Sequence, residues 1–286
     1  MKSIVSFMAV AILALGPVTL AQAQTSPSKA PATSPATTSK VKAAPVNPQN
    51  SPPRVEATQP PPKSTPAPPS TTGAAPSLTR TDVYHVHFVK AAAGKATQLA
   101  DNLKQADPTD PMPGHALVLR HMDGDSWDYA VIQHMGTKAT VDAARPAPSP
   151  SVRDLSDWHN DTFVSGPSWA AFTKAMGIDD AGKSKSAGSV YVLSVYRPIA
   201  GHRDQLEKVL GEPPGAGDTS SGNLLLQHLE GGAWTYLTVA RYNSWQDYAT
   251  NQTNMAAQTN TSGSGWFQLR EHVSFHTDTL CNRIAP

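Results

Sequence analysis

The chain reads as an α+β protein made of two tandem copies of one unit, behind a long Pro-rich segment that carries no fold. Three observations lead there. Residues 24–77 contain no aromatic residue and are dominated by Pro, Ala, Ser and Thr, whereas every Trp, every Tyr and all ten His follow them. From about residue 80 onward the sequence matches itself when shifted by about 107 positions. Within each copy the pattern of apolar residues and turns runs strand, helix, strand, strand, helix.

The N-terminus carries the marks of export. Met1-Lys2-Ser3 is a short basic start, Ile4 to Leu15 is an apolar run, and Ala21-Gln22-Ala23 fits small-x-small cleavage before Gln24. Residues 1–23 are therefore expected to be a signal peptide. The mature protein is expected to be soluble, in the periplasm or outside the cell, with no further membrane span. Residues 24–78 cannot bury enough apolar surface to offset the entropy of ordering, so they are expected to form a disordered tether. Pro60-Pro61-Pro62 stiffens it locally as polyproline II. Its Lys29, Lys40, Lys42, Arg54 and Lys63 face a single Glu56. That balance suits a solvated spacer or a weak contact with an anionic cell envelope.

Net charge excludes one class of partner. The formal value is +1, so no global field favours nucleic acid. The lone Cys281 cannot form an internal disulfide, which leaves the fold to its core.

The repeat sets the element order, with a first copy at 79–180 and a second at 187–286. Val83-Tyr84 meets Val190-Tyr191, Gln98-Leu99 meets Gln205-Leu206, and Leu117 and Leu119 meet Leu224 and Leu226. Without a gap, His121 falls on His228, Gly124 on Gly231, Trp127 on Trp234 and Tyr129 on Tyr236. Strands are predicted over 82–90 and 189–197, and helices from Gly94 and Gly201. Hairpins follow, turning at Asp123-Gly124-Asp125 and Glu230-Gly231-Gly232. Further on, His159-Asn160-Asp161-Thr162 matches His276-Thr277-Asp278-Thr279 once a loop insertion over 251–265 is allowed. This His-x-Asp-Thr motif is expected in the helical region closing each copy; no last strand is evident.

Each copy is thus the core of a ferredoxin-like half. Given twice, the order resembles the dimeric α+β barrel superfamily, on the repeat and on the strands around Tyr84/Tyr191 and Trp127-x-Tyr129/Trp234-x-Tyr236. The resemblance implies a pseudo-dimeric α+β barrel, two sheets facing each other around a central cavity. The superfamily includes cofactor-independent monooxygenases, haem-handling proteins and small-molecule binders, so it implies architecture and not chemistry. No catalytic signature of any one branch is present.

Candidate residues follow from the repeat. Trp127, Tyr129, Trp234 and Tyr236 alternate on the second hairpin strands and are expected to share a face, as core or as the lining of a site for a small apolar or aromatic ligand. Tyr84 and Tyr191 join them. His121 and His228 share strand parity with the paired leucines, either at a cavity mouth or at the edge of the core. His159 with Asp161, and His276 with Asp278, could form acid–base pairs or helix-end hydrogen-bond networks. His85 and His87 form a His-x-His pair on one strand face, replaced by Val192 and Ser194 in the second copy. With no third ligand in view no metal is assigned, and no cofactor is expected. Three functions fit: a small-molecule-binding barrel first, an oxygenase-like barrel enzyme second, a cell-envelope interaction protein third.

Overall fold

The computed structural model describes residues 79–108, 110–143, 150–178, 188–258 and 265–285. The expected signal peptide (1–23) and tether (24–78) lie outside the described residues. The first half runs β1 (Asp82–Ala91), α1 (Ala96–Leu103), β2 (Ala116–Asp123), β3 (Tyr129–Gly136), the short helices α2 (Lys138–Asp142) and α3 (Pro150–Arg153), then β4 (Ser156–Gly166). Helix α4 (Trp169–Met176) leads onward. The second half repeats the order as β5 (Val190–Pro198), α5 (Arg203–Leu210), β6 (Gly222–Glu230), β7 (Tyr236–Tyr242), α6 (Trp245–Gln258), α7 (Gly265–Arg270) and β8 (Val273–Ala285).

All eight strands pair antiparallel into one closed barrel, in the order β1-β3-β2-β8-β5-β7-β6-β4. Two seams join the halves, β2 with β8 and β4 with β6. Closure leaves no free sheet edge. Alternation explains which residues fill it. In β1, Tyr84, Val86 and Phe88 point inward, and Val89 and Ala91 point outward under α1. The inner cluster takes residues from every strand, the paired leucines of β2 and β6 among them. Outside, Leu99 of α1 packs on Val89 and Tyr129, and Leu206 of α5 packs on Leu225 and Tyr236. Among the described residues no helix is long and apolar enough to cross a membrane.

One end of the barrel is plugged by α4. Its Phe172 and Met176 are fully buried in the inner cluster. Ser168 Oγ caps the helix by accepting from Ala171 N, and Gly177 ends it in the left-handed conformation at φ 67°. Asp82 holds the start of the plug, its Oδ2 accepting from Trp169 N at 3.0 Å and bonding His134 Nε2 at 2.8 Å. Arg241 holds the other end, donating from Nε to the Ala175 carbonyl at 2.9 Å. His134 and Arg241 occupy matching positions in the two halves, so different chemistries brace the same helix.

At the opposite end each hairpin turn docks on the last strand of the other half. Gly124 and Gly231 have φ of 122° and 118°. A Cβ there would collide with the Asp278 carbonyl oxygen and with that of Asp161, so glycine is required twice over. The threonines of the His-x-Asp-Thr motif complete the clasp. Thr162 Oγ1 accepts from Gly232 N at 3.0 Å, and Thr279 Oγ1 accepts from Asp125 N at 3.4 Å.

Two expectations are corrected. The His-x-Asp-Thr segments are not helical; they lie on β4 and β8, the last strands that no sequence pattern revealed. Near the hairpin end β4 turns Asn160 and Thr162 inward and His159 and Asp161 outward. Polar residues on both faces erase the apolar alternation that marks a strand. The stretch expected as a loop over 251–265 is helical as far as Gln258, within α6.

Candidate functional site

The plug fills one end of the barrel and leaves room at the other. A cavity of about 280 Å³ lies beside the hairpin turns, lined by residues of both halves. Its walls come in matched pairs: Phe88 with Val195, Trp127 with Trp234, and Trp158 with Phe275. Asp125, Asn160 and Arg197 add polar groups that the symmetry of the walls does not repeat. Trp127 and Trp234 are almost fully buried, whereas Trp158 and Phe275 are partly open to solvent. Deep indole faces and a wetter polar rim are the usual make-up of a site for a small apolar ligand.

The structure separates the aromatic residues that the sequence grouped. Trp127 and Trp234 line the cavity. Tyr129 and Tyr236 face outward instead, bonding the Ala96 carbonyl at 2.8 Å and Glu207 Oε2 at 2.8 Å. The expected shared face fails because β3 and β7 begin at the tyrosines. Each tryptophan stands in the turn before its strand, where two-residue alternation does not hold. Tyr84 and Tyr191 do point inward, but at the plugged end. Their hydroxyls donate to the Pro167 and Met176 carbonyls at 2.7 and 2.9 Å, and burial drives the Tyr84 phenol far above its usual range. They tether α4 and leave the cavity alone.

His121 and His228 face inward with the leucines, as their parity requires. Each lies against its tryptophan, tilted for His121–Trp127 and edge-on for His228–Trp234, with ring centroids 5.6 and 5.7 Å apart. In both, a buried Nε2 has no hydrogen-bond partner among the described residues.

A second group of polar residues gathers on the outer face of β1 and β4. Asp161 lies directly across from His87 in the strand register. His87 Nδ1 is 2.6 Å and His85 Nε2 2.9 Å from the same oxygen, Asp161 Oδ1. His159 Nε2 stands 3.6 Å from Asp161 Oδ2. Burial works against ionisation of Asp161, but the hydrogen bonds and charge of His85 and His87 outweigh it and hold the carboxyl well below the usual range. The donor atoms of His85, His87 and Asp161 all lie within 4.8 Å of one another. The third donor group that the sequence did not reveal beside His85 and His87 is thus Asp161, 74 residues on from His87. Pairing between β1 and β4 brings them together, and nothing local signals it.

The second half keeps part of this arrangement. His276 Nε2 bonds Asp278 Oδ1 at 2.9 Å, and the His276 ring stacks on Tyr196 at 5.0 Å. Burial opposes ionisation of Asp278 too, and bonds from His276 and Ser194 lower its carboxyl. Both His/Asp pairs therefore sit on the outside of the barrel, away from the cavity.

No family model matches the chain, and no curated protein sequence matches it. Among solved structures, a protein of Lactobacillus acidophilus NCFM, for which a monooxygenase activity has been put forward, is similar at a TM-score of 0.40. The identity is 10%, over 71% of this chain and 94% of that one. At that distance the likeness says nothing of chemistry.

Proposed function

We propose that residues 79–285 form a fused pair of ferredoxin-like halves whose joint cavity binds a small, flat, largely apolar molecule. In this reading the chain is exported, and the Pro-rich segment spaces the barrel from its surroundings. One observation carries the binding function: the cavity is walled by Trp127 and Trp234, one from each half, beside an open rim. A volume of about 280 Å³ suits one or two fused rings. Asn160, Asp125 and Arg197 would then orient a polar substituent at the rim.

The test is calorimetric titration of the full chain with 2-naphthol and 2-naphthoate. One molecule is expected to bind per chain, and Trp127→Ala and Trp234→Ala are each expected to weaken binding by about tenfold or more. Equal binding by both variants and the parent chain would remove the cavity from the account. The oxygenase-like reading has one observation in its favour, the unpartnered Nε2 of His121 and His228 beside the indoles. It predicts slow, oxygen-dependent turnover of a bound naphthol that His121→Gln abolishes while binding persists.

A further inference from the structure

We infer that the outer face of β1 and β4 is a binding site for one late first-row divalent metal ion, of the zinc and copper class, held by His85, His87 and Asp161. The site is separate from the cavity, since these side chains project from the opposite side of the sheet.

The donor set comes first. Two imidazoles and one carboxylate converge on one point of a rigid, two-strand surface. Imidazole suits zinc, copper, nickel and iron, and a three-donor set leaves positions open for water or a ligand. The spacing agrees. Donors about 2.1 Å from a shared ion stand about 3.0 Å apart when cis in an octahedron and about 3.4 Å apart in a tetrahedron. The His85 and His87 nitrogens are 2.9 and 2.6 Å from Asp161 Oδ1. Opening these contacts by up to about 0.4 Å reaches the octahedral spacing, and by up to about 0.8 Å the tetrahedral one. His159 Nε2 lies 3.6 Å from the other carboxylate oxygen, Asp161 Oδ2, and stands outside this three-donor group.

The hydrogen bonds say where the protons sit before an ion binds. A carboxylate oxygen only accepts, so both His85 Nε2 and His87 Nδ1 carry hydrogen when they bond Asp161 Oδ1. An ion takes the lone pairs at those two nitrogens, and the displaced protons move to the far ring nitrogens or to solvent. The ion therefore competes with protons for those two nitrogens.

The chain contains its own control. At the matching strand positions the second half has Val192 and Ser194, and there Ser194 simply bonds Asp278. The barrel closes with the same register on both sides, so the fold does not need imidazoles at 85 and 87. Nor does stability explain them. The second half folds with one histidine beside its carboxylate, whereas three gather around Asp161.

The experiment is calorimetry of the full-length, tag-free chain, stripped with chelator, against Zn²⁺ and Cu²⁺, with Mg²⁺ as comparison. One Zn²⁺ or Cu²⁺ per chain is expected, with no Mg²⁺ binding, and nitrogen hyperfine structure from two imidazoles in the Cu²⁺ spectrum. The His85→Gln/His87→Gln double variant is expected to lose more than about 100-fold in affinity. Its melting temperature in chelator should stay at the parent value. Asp161→Asn provides a second route to the same loss should the double variant not fold. His276→Gln and His115→Gln should bind as the parent does. Three results would each overturn the assignment: no stoichiometric Zn²⁺ or Cu²⁺ binding, equal affinity in parent and double variant, or loss of binding in His276→Gln or His115→Gln instead.

Discussion

The two halves of the barrel share their architecture and differ in their chemistry. On both sides a hairpin glycine presses on the other half's last strand, a threonine accepts from the hairpin backbone, and an aspartate on that strand turns outward. Those features recur because closing the barrel needs them twice. The first half alone adds His85 and His87 around its aspartate, and braces the plug with a histidine where the second half uses an arginine. The clasp positions repeated in both halves are explained by the fold. A position that differs is free to serve a site, and the His85–His87–Asp161 group is the clearest such departure.

Substitutions at matched positions test this division. The largest effect is expected at the clasp. Gly124→Val and Gly231→Val each drive a Cβ into a backbone carbonyl oxygen at positive φ. Each should cost about 3 kcal/mol or more in urea unfolding, and to a similar degree. A neutral result at either would mean that its hairpin does not dock as described.

The threonines should differ. Thr162→Val leaves the buried Gly232 amide without its 3.0 Å acceptor and should cost about 1–3 kcal/mol. Thr279→Val removes a longer, part-buried bond of 3.4 Å and should cost less than about 1 kcal/mol. Chemical denaturation of the pair would sharpen or blur the contrast.

The aspartates come next. Both carboxyls are held below their usual range in the folded chain, so each contributes stability above the unfolded carboxyl pKa of about 4. That contribution is lost as pH falls through the lower folded value. Each is more than two-fifths exposed, so solvent screening limits either to less than about 1 kcal/mol at neutral pH. Asp161→Asn and Asp278→Asn should therefore flatten the acid limb of a melting-temperature profile below about pH 4 while changing little at pH 7. An unchanged acid limb in both variants would detach the histidines from the carboxylates. A volume-conserving swap is tested at Cys281, which aligns with Val164 of the first half. It is fully buried, and burial drives its thiol far above the usual range. Cys281→Val should change stability by less than about 1.5 kcal/mol, and the parent thiol should stay unreactive to a disulfide reagent until the chain unfolds.

The sequence shows a self-match at a shift of about 107 residues, and with it the hairpins, the shared parity of the leucines and histidines, and the paired tryptophans, while leaving open which side of the sheet that parity faces. These are local patterns, or patterns repeated without a gap. What it hid depends on pairing at long range. β4 and β8 carry polar residues on both faces at their hairpin ends, so no apolar period announces a strand. Tyr129 was expected beside Trp127 because alternation was extended one turn too far. Asp161 joins His85 and His87 only when β4 lies along β1, which no window of neighbouring residues contains.

The central claim is that the two halves share one ligand cavity between Trp127 and Trp234. It is tested most directly by ¹⁹F NMR of the chain labelled with 5-fluorotryptophan and titrated with 2-naphthol. The account predicts that the Trp127 and Trp234 resonances, assigned by substitution, shift together along one isotherm. Trp245 and Trp266, about half exposed on α6 and α7, should not move. Shifts confined to Trp245 and Trp266, or no saturable shift at Trp127 and Trp234, would contradict it.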